Sequence, residues 1–222
     1  MFCFLLFVET FFTNLTNLGH SLHLIIVLFK FLNLILIMKL VKFLLIIFIS
    51  INLPLKAESN QNLIAELKKG GKLIFIRHAY APGGGDPENF SLYDCNTQRN
   101  LSQSGRDQAK KIGTFFKDNK IPIGMVYSSE WCRCKETALI AFSNYETRNF
   151  LNSFFSSQFA KNKVPQMIKL KNFIKNWDED KNLVFVTHYV VISESLNYTP
   201  SSGEIVVSNK DFKVIDTIET EY

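Results

Sequence analysis

Residues 72–79 read KLIFIRHA, an apolar run that stops abruptly at Arg77-His78. A short apolar run of this kind is typical of a strand buried on both faces. Two later segments have the same form: residues 125–127 run into Ser128-Ser129, and residues 183–186 run into Thr187-His188. We therefore expect three buried strands, each followed by polar side chains at its carboxyl end.

Helical segments separate these strands. Helices are predicted over residues 58–71, after the capping residue Ser102, from about residue 130 and over residues 164–177, and an antiparallel hairpin over residues 204–208 and 212–218. Residues 80–97 contain two prolines and three successive glycines and are predicted to form a loop. Strands that alternate with helices predict a three-layer α/β/α fold with a mainly parallel sheet and helices on both faces. In such sheets ligands bind beyond the carboxyl ends of the strands.

The first 57 residues differ in composition from the rest. They carry four lysines and one acid, Glu9, among many Phe, Leu and Ile residues. A start at Met38 would give a signal peptide over residues 38–57, with a short basic region, an apolar region and Ala57 before the cleavage point, and residues 1–37 would then be an upstream extension. The alternative keeps residues 21–37 and 40–55 as membrane segments, although both are short for a span of ~20 residues.

Residues 58–222 are predicted to form one domain, because the chain of 222 residues is too short for a second full domain beside it. We expect this domain to be exported to the periplasm or the extracellular space, or else anchored to a membrane by an uncleaved N-terminal segment. Residues 58–222 hold 21 basic and 19 acidic side chains. This near balance argues against a general nucleic-acid binder, and it favours an anion site confined to a local pocket.

The strand ends carry the groups that phosphoryl transfer to an imidazole requires. Arginine offers a planar fork that matches phosphate oxygens. The attacking histidine needs one unprotonated ring nitrogen, so its other nitrogen must be held by an acceptor. With His78 as nucleophile, the side chains of Arg77, Arg133 and His188 could bind the phosphate. This chemistry requires no metal and no cofactor.

Four segments resemble the histidine phosphatase superfamily, the phosphoglycerate-mutase-like proteins. They occur in that family's order: the Arg-His pair at 77–78, the helix start at 100–109, the Ser-Ser and Arg133 segment at 127–138, and Val-Thr-His at 186–188. Ala79 and Tyr189 depart from the family pattern. The resemblance implies a phosphohistidine intermediate on His78, with Arg77, Arg133 and His188 binding phosphate. Ser129 and Arg99 are candidate substrate contacts, although Arg99 could equally order the loop through a salt bridge.

The proton donor is the gap in this resemblance. Many relatives carry a Glu in a Leu-x-Glu context after the second-arginine helix, where this chain has Ser153. Four acids near the predicted site are alternative donors: Asp86, Glu88, Asp94 and Glu130. A good leaving group would need little protonation, because general acid help contributes about 10²–10⁴-fold.

Three cysteines remain beyond residue 57: Cys95, Cys132 and Cys134. In an exported domain Cys95 would bond to one of the other two and tie the loop to the arginine helix, which leaves one thiol free. A zinc site lacks a clear fourth ligand. A cysteine nucleophile would need its pKa lowered beside Arg133.

Two function classes follow from these observations. The first is a metal-independent phosphatase that acts on a phosphomonoester, or on phosphohistidine, through a covalent intermediate on His78. The second is a catalytically idle relative that binds a phosphorylated ligand. Either class implies a small phosphorylated molecule as the partner, with no nucleic acid and no membrane contact beyond the N-terminal segment.

Overall fold

The computed structural model describes residues 29–46, 61–177 and 180–222. The chain divides into two compact units, Met1–Glu58 and Ser59–Tyr222. In the first unit, residues 29–46 form a continuous helix that passes through Met38 and leaves almost all of its side chains exposed. No helix in the described ranges is both long enough and apolar enough to cross a bilayer. The predicted signal peptide at 38–57 and the membrane segments at 21–37 and 40–55 lie partly outside the described residues.

The second unit is built on a sheet of six strands. The strands are β1 Leu73–Arg77, β2 Ile123–Ser128, β3 Glu146–Thr147, β4 Asn182–Thr187, β5 Ile205–Ser208 and β6 Val214–Ile218, in the spatial order β3-β2-β4-β1-β5-β6. The first four strands are parallel to one another, and β5 and β6 are added in antiparallel fashion. This mainly parallel sheet confirms the predicted fold class.

Helices cover both faces of the sheet. They are α1 (61–68), α2 Gln103–Asp118, α3 Cys132–Phe142, α4 Lys163–Lys175 and α5 Tyr189–Leu196, with single 3₁₀ turns at Cys95–Thr97, Asn149–Leu151 and Ser157–Asn162. Helix α5 is absent from the predicted elements, because its sequence YVVISESL is rich in β-branched residues that disfavour a helix. It forms because Val191, Ile192 and Leu196 are buried against the sheet.

Alternation along the strands divides the core into two layers. In β1, Leu73 and Phe75 pack with residues of α4 and α5, whereas Ile74 and Ile76 pack with residues of α1, α2 and α3. All four of these β1 side chains are fully buried. Successive side chains of a strand point to opposite faces, so a continuous apolar run is what a strand covered on both sides requires.

The start of α2 shows how the loop after β1 is held. The hydroxyl of Ser102 accepts a hydrogen bond from the backbone N–H of Gly105 and caps the helix, as predicted. A Cβ atom on Gly105 would lie 2.0 Å from the carbonyl oxygen of Tyr80. Glycine at this position therefore lets the helix approach the backbone two residues beyond His78.

Candidate active site

The strand ends meet at one edge of the sheet. Arg77 of β1 is level with Thr187 of β4, and Ser128 of β2 is level with Val186. The backbone N–H of His78 donates to the carbonyl of Thr187 at 2.9 Å. The residues that follow these strands are therefore neighbours, as the parallel arrangement predicted.

A cavity of about 290 Å³ opens beyond this edge. Its charged and imidazole lining is contributed by β1, the loop after it, α3 and the end of β4, and consists of Arg77, His78, Asp86, Arg99, Arg133 and His188. Three guanidinium groups against one carboxylate leave two positive charges, which equals the charge of one phosphate monoester dianion.

Hydrogen bonds fix the orientation and the tautomer of the His78 ring. Its Nδ1 lies 2.8 Å from the carbonyl oxygen of Ala79 and must donate to it, because a carbonyl oxygen only accepts. Nε2 therefore carries the lone pair in the neutral ring, and Arg133 Nε donates to it at 3.2 Å. Burial, together with the charge of Arg133, holds the pKa of His78 well below its ordinary value. The imidazole is therefore neutral at neutral pH, and its Nε2 carries no proton.

His188 faces His78 across the floor of the cavity, with the ring centroids 5.5 Å apart. Its Nε2 lies 3.0 Å from the hydroxyl of Ser129 and 3.5 Å from Cys134 Sγ. Burial and then the charge of Arg133 keep the pKa of His188 well below its ordinary value. The second histidine is therefore also neutral, and a hydrogen bond to Ser129 fixes its position.

Ser129 is not placed to contact substrate, contrary to the prediction. It is fully buried, lies outside the cavity lining, and shares hydrogen bonds with His188 Nε2 and the side-chain oxygen of Asn152. The Ser-Ser motif does lie at the expected strand end, but His188 stands between Ser129 and the cavity. Ser129 is therefore a positioning residue for the second histidine.

Arg133 is held by a carboxylate from the loop. Asp86 accepts from Arg133 Nη1 at 2.6 Å and from Nη2 at 3.2 Å. The same carboxylate accepts from the backbone N–H of Arg99 at 3.1 Å and from Trp131 Nε1 at 3.0 Å. The guanidinium of Arg133 is thus fixed with its Nε directed at His78 Nε2.

Asp86 does not fit the role of proton donor. Burial raises its pKa, but the hydrogen bonds and charge of Arg133, with those of Arg99 and Trp131, outweigh burial and bring the pKa below the ordinary value. The group is therefore ionised at neutral pH and has no proton to give. A general acid would need a raised pKa instead.

The other three predicted donors lie outside the cavity lining. Glu88 is exposed on the loop, Asp94 caps the 3₁₀ turn by accepting from the N–H of Asn96, and Glu130 accepts from the side-chain amide of Asn152. Sequence proximity suggested them, but the loop after β1 holds Glu88 and Asp94 away from the cavity, and Glu130, between β2 and α3, is bound to Asn152. Ser153 does line the cavity, at the position where relatives carry Glu.

Arg77 has a donor without a partner. Its Nη1 donates to the carbonyl of Pro200 at 2.9 Å, whereas its buried Nε has no hydrogen-bond acceptor among the residues that the structure describes. Burial lowers the pKa of Arg77, which the hydroxyl of Tyr189 partly offsets. An unsatisfied buried N–H is costly, and an oxygen of a bound phosphate would satisfy it.

Arg99 orders the loop through hydrogen bonds to backbone carbonyls, and not through the salt bridge that the sequence analysis considered. Its Nε donates to the carbonyl of Gly85 at 3.0 Å, and Nη1 donates to the carbonyl of Ala81. The same guanidinium lines the cavity, so loop ordering and phosphate contact are compatible.

The cysteines pair as Cys95–Cys132, and Cys134 is free and buried. The disulfide joins the loop after β1 to the first residue of α3, next to Arg133. Two of the three thiols are thereby used, which excludes a zinc site built on all three. Burial raises the pKa of Cys134 to about 12, so this thiol does not act as a nucleophile.

Aromatic side chains form part of the cavity lining. Phe154 belongs to the core, whereas Phe155 lines the cavity together with Phe90, Trp131, Phe159 and Tyr189. These residues are scattered along the chain without a periodic pattern, so only the folded chain brings them together.

Fold and site together define an α/β protein with an arginine-rich cavity that is lined by two neutral histidines. Residues 73–152 match the family model of the histidine phosphatase superfamily, branch 1. This segment holds the Arg-His pair, the α2 start and Arg133, and His188 follows in the expected place. This match places residues 73–152 in the histidine phosphatase superfamily.

Solved structures with a similar fold include the following proteins. The phosphohistidine phosphatase SixA from Agrobacterium tumefaciens is 16% identical, with a TM-score of 0.46, and phosphoglycerate mutase from Thermus thermophilus is 13% identical, with a TM-score of 0.45. A further Thermus thermophilus protein, TTHB049, is 13% identical, with a TM-score of 0.47. Each comparison covers 67% of this chain and 98% of the other. No curated protein matches the chain. At these identities nothing about activity follows.

Proposed function

We propose that residues 58–222 form a phosphatase that hydrolyses a phosphate monoester through a phosphohistidine on His78. The observation that carries the proposal is the tautomer of His78. Its Nδ1 donates to the carbonyl of Ala79, so the Nε2 that faces the cavity is unprotonated. A neutral, oriented imidazole beside three arginines is what attack on a phosphate dianion requires.

Phosphate binding is expected to use the charges that line the cavity. A dianion matches the two uncompensated positive charges there, and one of its oxygens can accept from the unpartnered Nε of Arg77. Arg133 Nε now donates to His78 Nε2, and a phosphate oxygen would take over this donor. The nucleophile is thereby released when substrate arrives, whereas Asp86 keeps the rest of the guanidinium in place.

In the first chemical step His78 Nε2 attacks phosphorus. The P–N bond forms, the P–O bond to the ester breaks, and the electron pair leaves on the ester oxygen. The positive charge that develops on the imidazole is stabilised by the carbonyl of Ala79 through Nδ1–H. In the second step water attacks the phosphohistidine, the P–N bond breaks, and its electron pair returns to Nε2.

The test uses the full chain with a chromogenic phosphate ester. His78→Ala should lower kcat/KM by at least ~10³-fold, because the covalent step loses its nucleophile. Rapid acid-free quenching and mass spectrometry should detect an added phosphoryl group in the wild type and none in His78→Ala. Binding of vanadate should persist in the variant, since the arginines remain.

The idle alternative makes a different prediction in the same experiment. Asp86 is ionised and no other acid lines the cavity within the part of the chain that the structure describes, which is the observation that keeps this alternative open. If the wild type binds vanadate but releases no phosphate and forms no phosphoenzyme, the chain is a binding protein and our proposal is wrong.

We also propose that this domain works outside the cytoplasm. The Cys95–Cys132 disulfide supports export, because such bonds persist in oxidising compartments. Mass spectrometry of the natural N-terminus tests this directly. A chain that begins after residue 38 agrees with a cleaved signal peptide, whereas one that begins before residue 38 contradicts it.

A further inference from the structure

The cavity has an aromatic wall between its floor and its mouth. Phe155 and Tyr189 form one side, with ring centroids 5.9 Å apart. Trp131 also lines the cavity and stacks on Phe90 at 5.1 Å. Phe159 contacts both Phe90 and Trp131 edge-on. Five aromatic rings thus line the cavity beside its charged groups.

The exposure of the lining residues distinguishes the inner end of the cavity from its mouth. His78, His188 and Arg133 are only 2–3% exposed, whereas Phe155 is 59% exposed. A phosphate held by the arginines must therefore lie at the floor. The organic part of the ester then extends past Phe155 and Tyr189 towards solvent, so these rings contact the leaving group.

The charge of the cavity indicates that the leaving group carries no second phosphate. One phosphate dianion uses both uncompensated positive charges, and none of the described lysines lines the cavity. A second phosphate would have no cation to bind it. The volume of about 290 Å³ lies at the small end for ligand pockets, which span ~300–1,000 Å³, and suits one phosphate with one ring.

The ionisable groups of the cavity also restrict which leaving groups can depart. Asp86 is the carboxylate that lines the cavity, and it is bound to Arg133. No neutral carboxyl from the described ranges is available there to protonate a departing oxygen. An alkoxide is a poor leaving group without such help, whereas a phenolate is stable as an anion because the pKa of a phenol is about 10.

We propose that the site is built for small aryl phosphates, the phosphate monoesters of phenols. This inference rests on the proposed phosphatase function and names its substrate class. Three features of the cavity support it. The charges at its floor match one phosphate, aromatic rings line it, and no neutral acid is present among the described residues of the lining.

The reaction balances without a proton donor in the protein. His78 Nε2 forms a bond to phosphorus as the bond from phosphorus to the phenolic oxygen breaks. The electron pair departs on phenolate, which takes its proton from water after release. Water then attacks the phosphohistidine and yields inorganic phosphate, a proton is released to solvent, and His78 returns to its neutral form.

The test separates ring recognition from leaving-group acidity. Phenyl phosphate is compared, on the full chain, with a fluorinated alkyl phosphate whose alcohol is as acidic as phenol. The wild type should show a kcat/KM about threefold to tenfold higher for phenyl phosphate, the size of an aromatic contact. Within a series of substituted phenyl phosphates, kcat/KM should fall steeply as the phenol becomes less acidic.

Variants at the mouth of the cavity test whether Phe155 contacts the ring of the substrate. Phe155→Ala should remove most of the preference for phenyl phosphate over the fluoroalkyl ester, because the lost contact is with the ring. Phe155→Leu, which keeps apolar volume without a ring, should be intermediate. Tyr93→Ala is the matched control, because Tyr93 is 98% exposed and lies outside the cavity lining.

Two results would overturn the inference alone. One is equal turnover of the matched pair by the wild type. The other is a larger acceleration over the uncatalysed rate for phosphohistidine than for phenyl phosphate. Absence of turnover on every phosphate compound, without a phosphoenzyme, would overturn the proposed function and this inference with it.

Discussion

The Cys95–Cys132 disulfide should contribute several kcal/mol to the stability of the domain. The bond closes a loop across a sequence separation of 37 residues, which includes the α2 helix. Loop-closure entropy for this length corresponds to about 4 kcal/mol at 25 °C. For a domain of this size each kcal/mol shifts Tm by ~2–4 °C, so its loss should lower Tm by roughly 8–15 °C.

The perturbation is the double variant Cys95→Ala/Cys132→Ala. Alanine avoids placing a hydroxyl at Cys132, which is 6% exposed. Unfolding in urea can be followed by the fluorescence of Trp131 and Trp177, both of which are buried. The wild type treated with reductant should match the double variant, and the variant itself should not respond to reductant.

The same variant should weaken phosphate binding as well. The disulfide anchors the loop that carries Asp86 to the helix that carries Arg133, so its loss frees the partner that orients Arg133. We expect KM to rise more than kcat falls. A double variant whose free energy of unfolding lies within about 1 kcal/mol of the wild type would refute the reasoning, as would a wild type that is insensitive to reductant.

Two further predictions concern pH and packing. Because His78 and His188 are buried with pKa values well below 6.5, stability should be complete above about pH 6.5 and fall below it, where only the unfolded state takes up protons. Urea midpoints from about pH 7.5 to 5 should show a loss of up to ~1.4 kcal/mol per pH unit for each histidine, and His188→Gln should flatten the slope; a flat wild-type curve would contradict the low pKa values. Gly105→Ala should destabilise the domain by ~1–3 kcal/mol, because the new Cβ meets the carbonyl of Tyr80, whereas Gly84→Ala, with open space around it, should not; thermal melts compare the two.

The fold class and the central residues of the site could be predicted from sequence because their signals are local. A buried parallel strand is a short, continuous apolar run, and the first residues after three such runs include Arg77-His78, Ser128-Ser129 and Thr187-His188. Parallel strands place their carboxyl ends at one edge, so the meeting of His78 and His188 followed without knowledge of any loop. The Ser102 cap and the apolar stripe of α2 were predictable for the same reason.

The roles of the acids depended on tertiary structure. Four acids were close enough in sequence to be proton donors. Only the path of the loop brings Asp86 to Arg133 and turns Glu88 and Asp94 away, and only the folded chain pairs Glu130 with Asn152. A pKa depends on burial and neighbouring charge, which a sequence does not display. Asp86 therefore emerged as an ionised partner of Arg133 instead of an acid.

What the sequence by itself determined about this protein is its sheet and the positions of His78 and Arg77 at a strand end, because these follow from local patterns and from the order of strands. Only the tertiary structure decided which cysteine pairs with Cys95, that Ser129 supports His188 from behind, and that Phe155 and Tyr189 wall the cavity. These contacts join segments that are distant in the chain, and loop closure and packing, which have no periodic signature, select them.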